Sequence, residues 1–197
     1  MNETKSLDQE AAEDIFFGQV VIVWARWFII AGGAVITLLQ AENTAELTSS
    51  TIFVVALMGI NFFVHGRYIM ERPANRQLLI ALSVLDLVIV TGIIVALQGQ
   101  NGLESPYFVF LYPIVVAFAF VFTPRMSTFF TVVALIAYTG ASFRGDPELL
   151  SHSVNLEILV VRLITLASMG GLATFFWRIQ RNRRREIQGF SVAFEGS

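Results

Sequence analysis

The chain lacks cysteine and holds only two histidines among its 197 residues. Without thiols it has no disulfide bonds, no thiol redox switch and no thiolate metal site. Two histidines, His65 and His152, are too few for a multi-histidine haem or metal centre. The sequence therefore predicts no metal site.

Charge is also scarce. Charged residues make up 14% of the chain and hydrophobic residues 55%, with a mean hydropathy of +0.68. A soluble domain carries about 25% charged residues, so this chain has too little polar surface to cover itself in water. The composition predicts an integral membrane protein.

Catalytic motifs are absent as well. The sequence contains no P-loop, no nucleophile elbow, no HExxH and no cluster of acidic metal ligands. We therefore predict no catalytic residue and a protein that is not an enzyme. The arginines that follow Trp177 could contact nucleic acid, but directly after an apolar segment they favour anionic lipid, so we predict no nucleic-acid partner.

Six apolar segments are present. An apolar run of about 20 residues spans the ~30 Å hydrocarbon core as a helix. The segments are 24–39, 51–68, 77–98, 107–122, 126–143 and 154–177. The sequence thus predicts an all-α, polytopic bundle of six transmembrane helices, with a kink at Pro113 in the fourth.

Basic residues alternate between the loops. Loops 41–50 and 99–105 hold no Lys or Arg, whereas Arg125 and the cluster after Trp177 lie in other connections. Since cytoplasmic loops carry the excess of Lys and Arg, the pattern predicts both termini in the cytosol.

Three parts of the chain follow from this topology. Residues 1–23 form a cytosolic lead-in, 24–177 the six-helix transmembrane domain and 178–197 a basic cytosolic tail. The lead-in is acidic and has neither a basic region nor a small-residue cleavage site, so it is not a signal peptide.

Aromatic and basic residues meet at two segment ends. Trp24, Arg26 and Trp27 begin the first segment, and Trp177 and Arg178 end the sixth. Tryptophan and snorkelling cations are enriched at membrane interfaces. We predict that these residues anchor the bundle at its cytosolic interface.

Two charged residues lie deep in apolar segments. Asp86 is nine residues into the third segment and Arg162 eight residues into the sixth, about 13 Å and 12 Å from the segment ends. A charge at this depth needs a partner, so we predict a buried Asp86–Arg162 ion pair. The pair either locks helix register or takes part in signal relay or in binding a polar headgroup.

The loop before the fourth segment has the features of a small binding site. Glycine allows an unusual backbone, Ser-Pro favours a turn into the helix, and two aromatics offer a platform for a planar, lipid-soluble molecule. The predicted ligand-binding residues are Gly102, Ser105, Pro106, Tyr107, Phe108 and Pro113. The alternative is a membrane-interface turn with ordinary aromatic anchoring.

Residues 85–92 (LDLVIVTG), 102–107 (GLESPY) and Tyr112-Pro113 resemble the membrane input domain of RegB-type, redox-responsive sensor histidine kinases. The resemblance implies six helices, cytosolic termini, an Asp on the third helix and quinone sensing at an outer loop of the form GGxxNPF. The loop differs from that form at Asn101, Ser105 and Tyr107.

The kinase parts are missing from this sequence. Residues 186–197 hold no histidine and no heptad pattern, so the chain is either part of a longer kinase or a stand-alone relative. We predict a non-catalytic sensing module, with a quinone or a lipid as ligand, that forms a homodimer or associates with other membrane subunits. The alternative is an accessory subunit of a larger respiratory or photosynthetic complex.

Overall fold

The fold is known from a computed structural model, which describes residues 2–40, 44–69, 76–96, 103, 105–151 and 153–195. Throughout these ranges the secondary structure is helical, with no strand. The α-helices are α1 (Asn2–Gln40), α2 (Thr44–Ile69), α3 (Arg76–Ala96), α4 (Leu111–Val121), α5 (Pro124–Gly145) and α6 (Ser153–Glu195). Two short 3₁₀ helices, Pro106–Phe110 and Leu149–Ser151, precede α4 and α6.

Four of the helices are long and apolar enough to cross a membrane. Their apolar spans are Gly18–Leu39, Gln77–Ala96, Pro124–Gly145 and Ser153–Gln180. Two shorter apolar helices, Val54–Arg67 and Pro106–Val121, correspond to the second and fourth segments of the sequence. The structure thus confirms the all-α class, and the length and composition of these helices suit a membrane protein.

The first and last helices of the chain, α1 and α6, extend beyond their apolar spans. Helix α1 is continuous from Asn2, and α6 continues from the span ending at Gln180 as far as Glu195. Residues 178–195 of the basic tail are therefore helical, although their sequence shows no heptad pattern.

Helix α4 is the centre of the bundle. It packs against α1, α3, α5 and α6. It is also the most apolar helix, since its sequence LYPIVVAFAFV contains no charged residue. Six of its side chains are buried: Leu111, Ile114, Val115, Ala117, Phe118 and Ala119.

Side-chain contacts show that α1 and α2 are antiparallel. The Gln19 Nε2 donates to the carbonyl of Val64 at 3.2 Å, and the Asn61 Nδ2 donates to the carbonyl of Val23 at 3.4 Å. Residue numbers therefore rise along α1 in the direction in which they fall along α2. Each helix donates one side-chain amide hydrogen bond to a backbone carbonyl of the other.

Helices α5 and α6 are antiparallel as well. The hydroxyls of Ser127 and Thr174 lie 2.9 Å apart, and contacts farther along join Tyr138 to Arg162. At the Ser127 end of the bundle, Trp177 packs on Phe120 of α4 with ring centroids 5.2 Å apart.

Gly18 of α1 contacts Val121 at the end of α4, next to Phe120. The apolar spans of α1 and α6 therefore begin and end, respectively, at the same end of the bundle. We call this the terminal end, and the one that carries the 3₁₀ helices the loop end.

Two glycines allow close approach between helices. A Cβ at Gly170 would lie 2.7 Å from Val115 Cγ1 and 2.8 Å from Thr131 Cγ2. A Cβ at Gly32 would lie 2.8 Å from Phe110 Cε1. These glycines let α6 and α1 come close to the central α4 segment.

Pro113 lies in the first turn of α4, directly after the 3₁₀ helix Pro106–Phe110. The change of helix type thus occurs at Leu111, before the proline. Proline is tolerated in a first turn, where its missing N–H costs least. The fourth segment therefore begins as a 3₁₀ helix, and the kink at Pro113 stays a prediction.

Candidate functional site

The first polar centre of the bundle is an ion pair between α1 and α3. The Arg26 Nη2 lies 2.8 Å from Asp86 Oδ1, and the Arg26 Nε donates to both carboxylate oxygens at 2.9 Å. The Arg26 Nη2 also donates to the carbonyl of Leu82 at 3.2 Å. Both side chains are buried, with 1% of Arg26 and 7% of Asp86 exposed.

This geometry corrects the predicted partner of Asp86, which was Arg162. The reason lies in the packing, because α3 packs against α5, α4 and α1, while α6 packs mainly against α4 and α5. Arg26 was also predicted to be an interfacial anchor. It is instead eight residues inside the span Gly18–Leu39, at a depth that matches Asp86.

A small cavity of about 10 Å³ lies beside the pair. Its lining includes Arg26, Ser83 and Asp86 as well as apolar side chains of α1 and α4. The buried Arg26 Nη1 has no hydrogen-bond partner among the described residues. The cavity has room for about one water molecule, which would reach this nitrogen.

The second polar centre, the arginine–aromatic cluster, consists of Arg162, Phe108, Tyr112 and Tyr138. The Arg162 Nη1 donates to the Tyr138 hydroxyl at 3.0 Å, and its Cζ lies 4.8 Å from the centre of the Phe108 ring. Phe108 packs on Tyr138 and Tyr112, with ring centroids 4.5 Å and 5.1 Å apart. The cluster joins the 3₁₀ helix, α4, α5 and α6 near the loop end.

Among the described residues, no carboxylate balances the charge of Arg162. Within the part of the chain that the structure describes, no acidic oxygen lies within 4.0 Å of its guanidinium, whereas Arg26 has Asp86. Tyr138 is fully buried and Phe108 is 6% exposed, while Arg162 and Tyr112 are partly exposed. The guanidinium therefore sits at the edge of the bundle, over buried rings.

The predicted ligand-binding residues fall into different places. Ser105 is buried and caps the 3₁₀ helix, its hydroxyl accepting from the Tyr107 N–H at 3.2 Å. Tyr107 and Phe108 are buried, so they do not form the exposed aromatic platform that the sequence indicated. Pro106 is exposed and Pro113 is partly exposed. Gly102 lies outside the described residues.

Phe108 alone of the six belongs to the arginine–aromatic cluster. The sequence analysis did not identify Tyr138, whose hydroxyl accepts the hydrogen bond from Arg162. The available signal was a tyrosine in the middle of the fifth apolar segment, where a hydroxyl needs a hydrogen-bond partner. Tyr138 and Arg162 could have been paired by assuming that consecutive segments are antiparallel neighbours.

The other predicted anchors take several positions. Trp24 is 60% exposed, whereas Trp27 is partly buried and packs edge-on against Phe62. Trp177 is buried against α4, and Arg178 is exposed. Trp24 and Arg178 thus lie on the surface of the bundle, while Trp27 and Trp177 pack between helices.

A groove of about 560 Å³ runs along α2. Its described lining consists of Thr48, Thr51, Ile52, Val55 and Ala56. Within that lining there are two hydroxyls, no charged or aromatic group, and none of the described residues that were predicted to bind a ligand.

No group of three or more His, Asp or Glu side chains that could hold a metal ion occurs among the described residues. No family model matches the chain, and neither a curated protein nor a solved structure matches it. The function is therefore inferred from the two polar centres and the helices that carry them.

Proposed function

We propose that this chain is a non-catalytic, multi-pass sensing module of a bacterial inner membrane. A lipid-soluble ligand at the arginine–aromatic cluster alters the position of α6, and α6 passes that change to a cytosolic partner. The observation that carries the proposal is that Arg162 lies on α6, which is one continuous helix from Ser153 to Glu195.

The length of α6 suits this role. Its 43 residues measure about 65 Å at 1.5 Å per residue. A hydrocarbon core of about 30 Å therefore leaves a long helical extension beyond the membrane. A rotation or shift at Arg162 would be carried rigidly to that extension.

The packing of α6 supports the same interpretation. Only 17% of its apolar window is buried inside the bundle, against 39–44% for the other three long spans. Elements with few buried contacts move at the lowest free-energy cost. Contacts that hold α6 include those of Arg162, Gly170 and Thr174, together with the buried Leu159 and Leu166.

The proposed topology has six crossings with both termini in the cytosol. The basic residues Arg125 and Arg178 support it, because Lys and Arg are enriched in the cytoplasmic segments of membrane proteins. It is supported also by the common terminal end of α1 and α6. In this topology the arginine–aromatic cluster belongs to the outer half of the membrane.

The resemblance to the input domain of RegB-type kinases favours a quinone as the ligand and a dimeric module. Phe108 comes from the loop on which that resemblance depends, and it packs on the guanidinium of Arg162. A quinone carbonyl could accept hydrogen bonds from Arg162 while its ring packs beside Tyr112, the partly exposed ring of the cluster.

The test measures the movement of α6 directly. Spin labels at Arg125 and Asn182, two exposed residues on α5 and α6 at the terminal end, report the distance between the helices in lipid nanodiscs. We expect this distance to change when a short-chain quinone is added or reduced, and the change to be lost in Arg162→Gln. The matched control is Arg144→Gln, an exposed arginine of α5. An unchanged distance with quinone, quinol and membrane lipid extract alike would refute the proposal.

An accessory subunit of a respiratory or photosynthetic complex is the second candidate. The observation that favours it is the apolar face of α6, where Ile164, Leu172 and Phe175 are each more than 60% exposed. Purification in mild detergent distinguishes the two. Elution in fixed ratio with a large complex would favour the subunit, and a lone dimer would favour the sensor.

A further inference from the structure

We infer that the arginine–aromatic cluster binds the oxyanion head of an acidic amphiphile, that is, a carboxylate or phosphate attached to an apolar tail. The inference names the ligand class of the same cluster, so it rests on the proposed function for the place of the ligand. It differs from that function in requiring negative charge.

The first argument is charge balance. Arg26 and Asp86 neutralise each other inside the bundle at 2.8 Å. Arg162 has no such partner among the described residues, although it lies inside the apolar span Ser153–Gln180. An unpaired guanidinium in hydrocarbon is unfavourable, and an anionic head would neutralise it where a neutral head would not.

The second argument is hydrogen bonding. A guanidinium has five N–H donors in a planar fork, and Arg162 uses one of them on the Tyr138 hydroxyl. The other donors have no acceptor among the described residues. Two parallel N–H groups of arginine match the two oxygens of a carboxylate or phosphate.

The third argument is the surroundings of the head. Phe108 covers the guanidinium at 4.8 Å, and the partly exposed Tyr112 packs against Phe108. The buried rings hold the guanidinium in place and exclude water from that side. On α6, Ile158 lies one turn from Arg162 and is 39% exposed, so an apolar tail has hydrocarbon surface beside the head.

The test compares ligands that differ only in the head. The full chain, in an uncharged detergent, is titrated with oleate and with oleyl alcohol, and binding is measured by calorimetry. We expect oleate to bind at least about tenfold more tightly, since hydrogen bonds to charged groups are the stronger class. A second arm compares phosphatidylglycerol with phosphatidylcholine in native mass spectrometry. Preference for the free acid or for the anionic phospholipid identifies the source of the oxyanion.

Variants locate the binding. Arg162→Gln is expected to weaken oleate binding about tenfold or more, and Arg162→Lys to retain part of it, because lysine keeps the charge and loses the fork. Arg144→Gln, which removes an exposed arginine of α5, should bind as the parent does. Thermal unfolding of each variant separates lost binding from lost folding. If Arg162→Gln does not fold, Tyr112→Phe and Arg162→Lys provide the comparison.

Equal binding of oleate and oleyl alcohol would overturn the inference, as would binding that is the same in Arg162→Gln and in the parent chain. Oleate that binds at Arg162 without changing the Arg125–Asn182 label distance would leave this inference standing, and sensing would be refuted if quinone, quinol and lipid extract also left that distance unchanged. A neutral quinone that moves α6 while no acid binds would support sensing and overturn the inference of an acidic ligand.

Discussion

The carboxylate of Asp86 is held by Arg26, 60 residues away in sequence, through three contacts of 2.8–2.9 Å. The pair joins α1 to α3 inside the bundle, where both side chains are buried. Removing one partner of a buried pair leaves an uncompensated charge, whereas removing both leaves none.

Replacing one member of the pair should therefore be more harmful than replacing both. We expect Asp86→Leu to lower stability by about 3–5 kcal/mol, and Arg26→Met with Asp86→Leu to restore most of the loss. The measurement is thermal unfolding in detergent, followed by tryptophan fluorescence. Glu157→Leu, which removes an exposed carboxylate of α6, is the matched control. Equal melting temperatures for Asp86→Leu and the parent chain would contradict the pairing.

The helices were largely predictable, because hydropathy alone located six segments and each corresponds to a helix. Which helices pack against each other was not predictable from the sequence. The depth of Asp86 in its segment required a basic partner near the middle of another segment, and Arg162 met that requirement. Arg26 satisfied it too, but the first segment was started at Trp24 instead of Gly18, which placed Arg26 at an interface. A span that began six residues earlier would have left two candidates.

The remaining differences have local causes. Tyr107 and Phe108 are buried because a 3₁₀ helix, capped by Ser105, folds the loop onto the bundle, and no sequence periodicity signals so short an element. The helical extension of α6 to Glu195 was also not apparent, since its polar sequence shows no apolar stripe. Helices of this kind are stabilised by continuing an existing helix, which avoids a new nucleation step.

Gly170 provides a steric test of how α6 packs on the bundle. A Cβ there would lie 2.7 Å from Val115 and 2.8 Å from Thr131, so we expect Gly170→Ala to cost about 1–3 kcal/mol through overpacking. The neighbouring Gly171→Ala is the control, because nothing lies within 4 Å of its Cβ position. It should be neutral, or stabilising by up to about 1 kcal/mol from helix propensity. Equal melting temperatures for the two variants would show that α6 does not pack as described.

Gly32 tests the contact between α1 and the 3₁₀ helix. Its Cβ would lie 2.8 Å from the Phe110 ring, whereas the nearest atom to a Cβ at Gly33 is 3.7 Å away. We expect Gly32→Ala to be destabilised by about 1–3 kcal/mol and Gly33→Ala to be tolerated. Adding Phe110→Leu to Gly32→Ala should recover part of the loss by removing the ring. Failure of the second substitution to recover any stability would indicate a different cause.

Single cysteines test the proposed six crossings cleanly, because the native chain has no cysteine to label. In intact cells, a membrane-impermeant maleimide should label Thr48→Cys and Glu148→Cys, which are exposed residues at the loop end. Asn182→Cys and Asn75→Cys should react only after the membrane is opened. Asn75 is the decisive position, since it follows the second apolar segment. If only the four long helices crossed the membrane, Asn75→Cys would be labelled in intact cells, while Glu148→Cys and Asn182→Cys would keep their sides. That pattern would reduce the bundle to four crossings and make α2 and α4 helices packed within the protein, not spans.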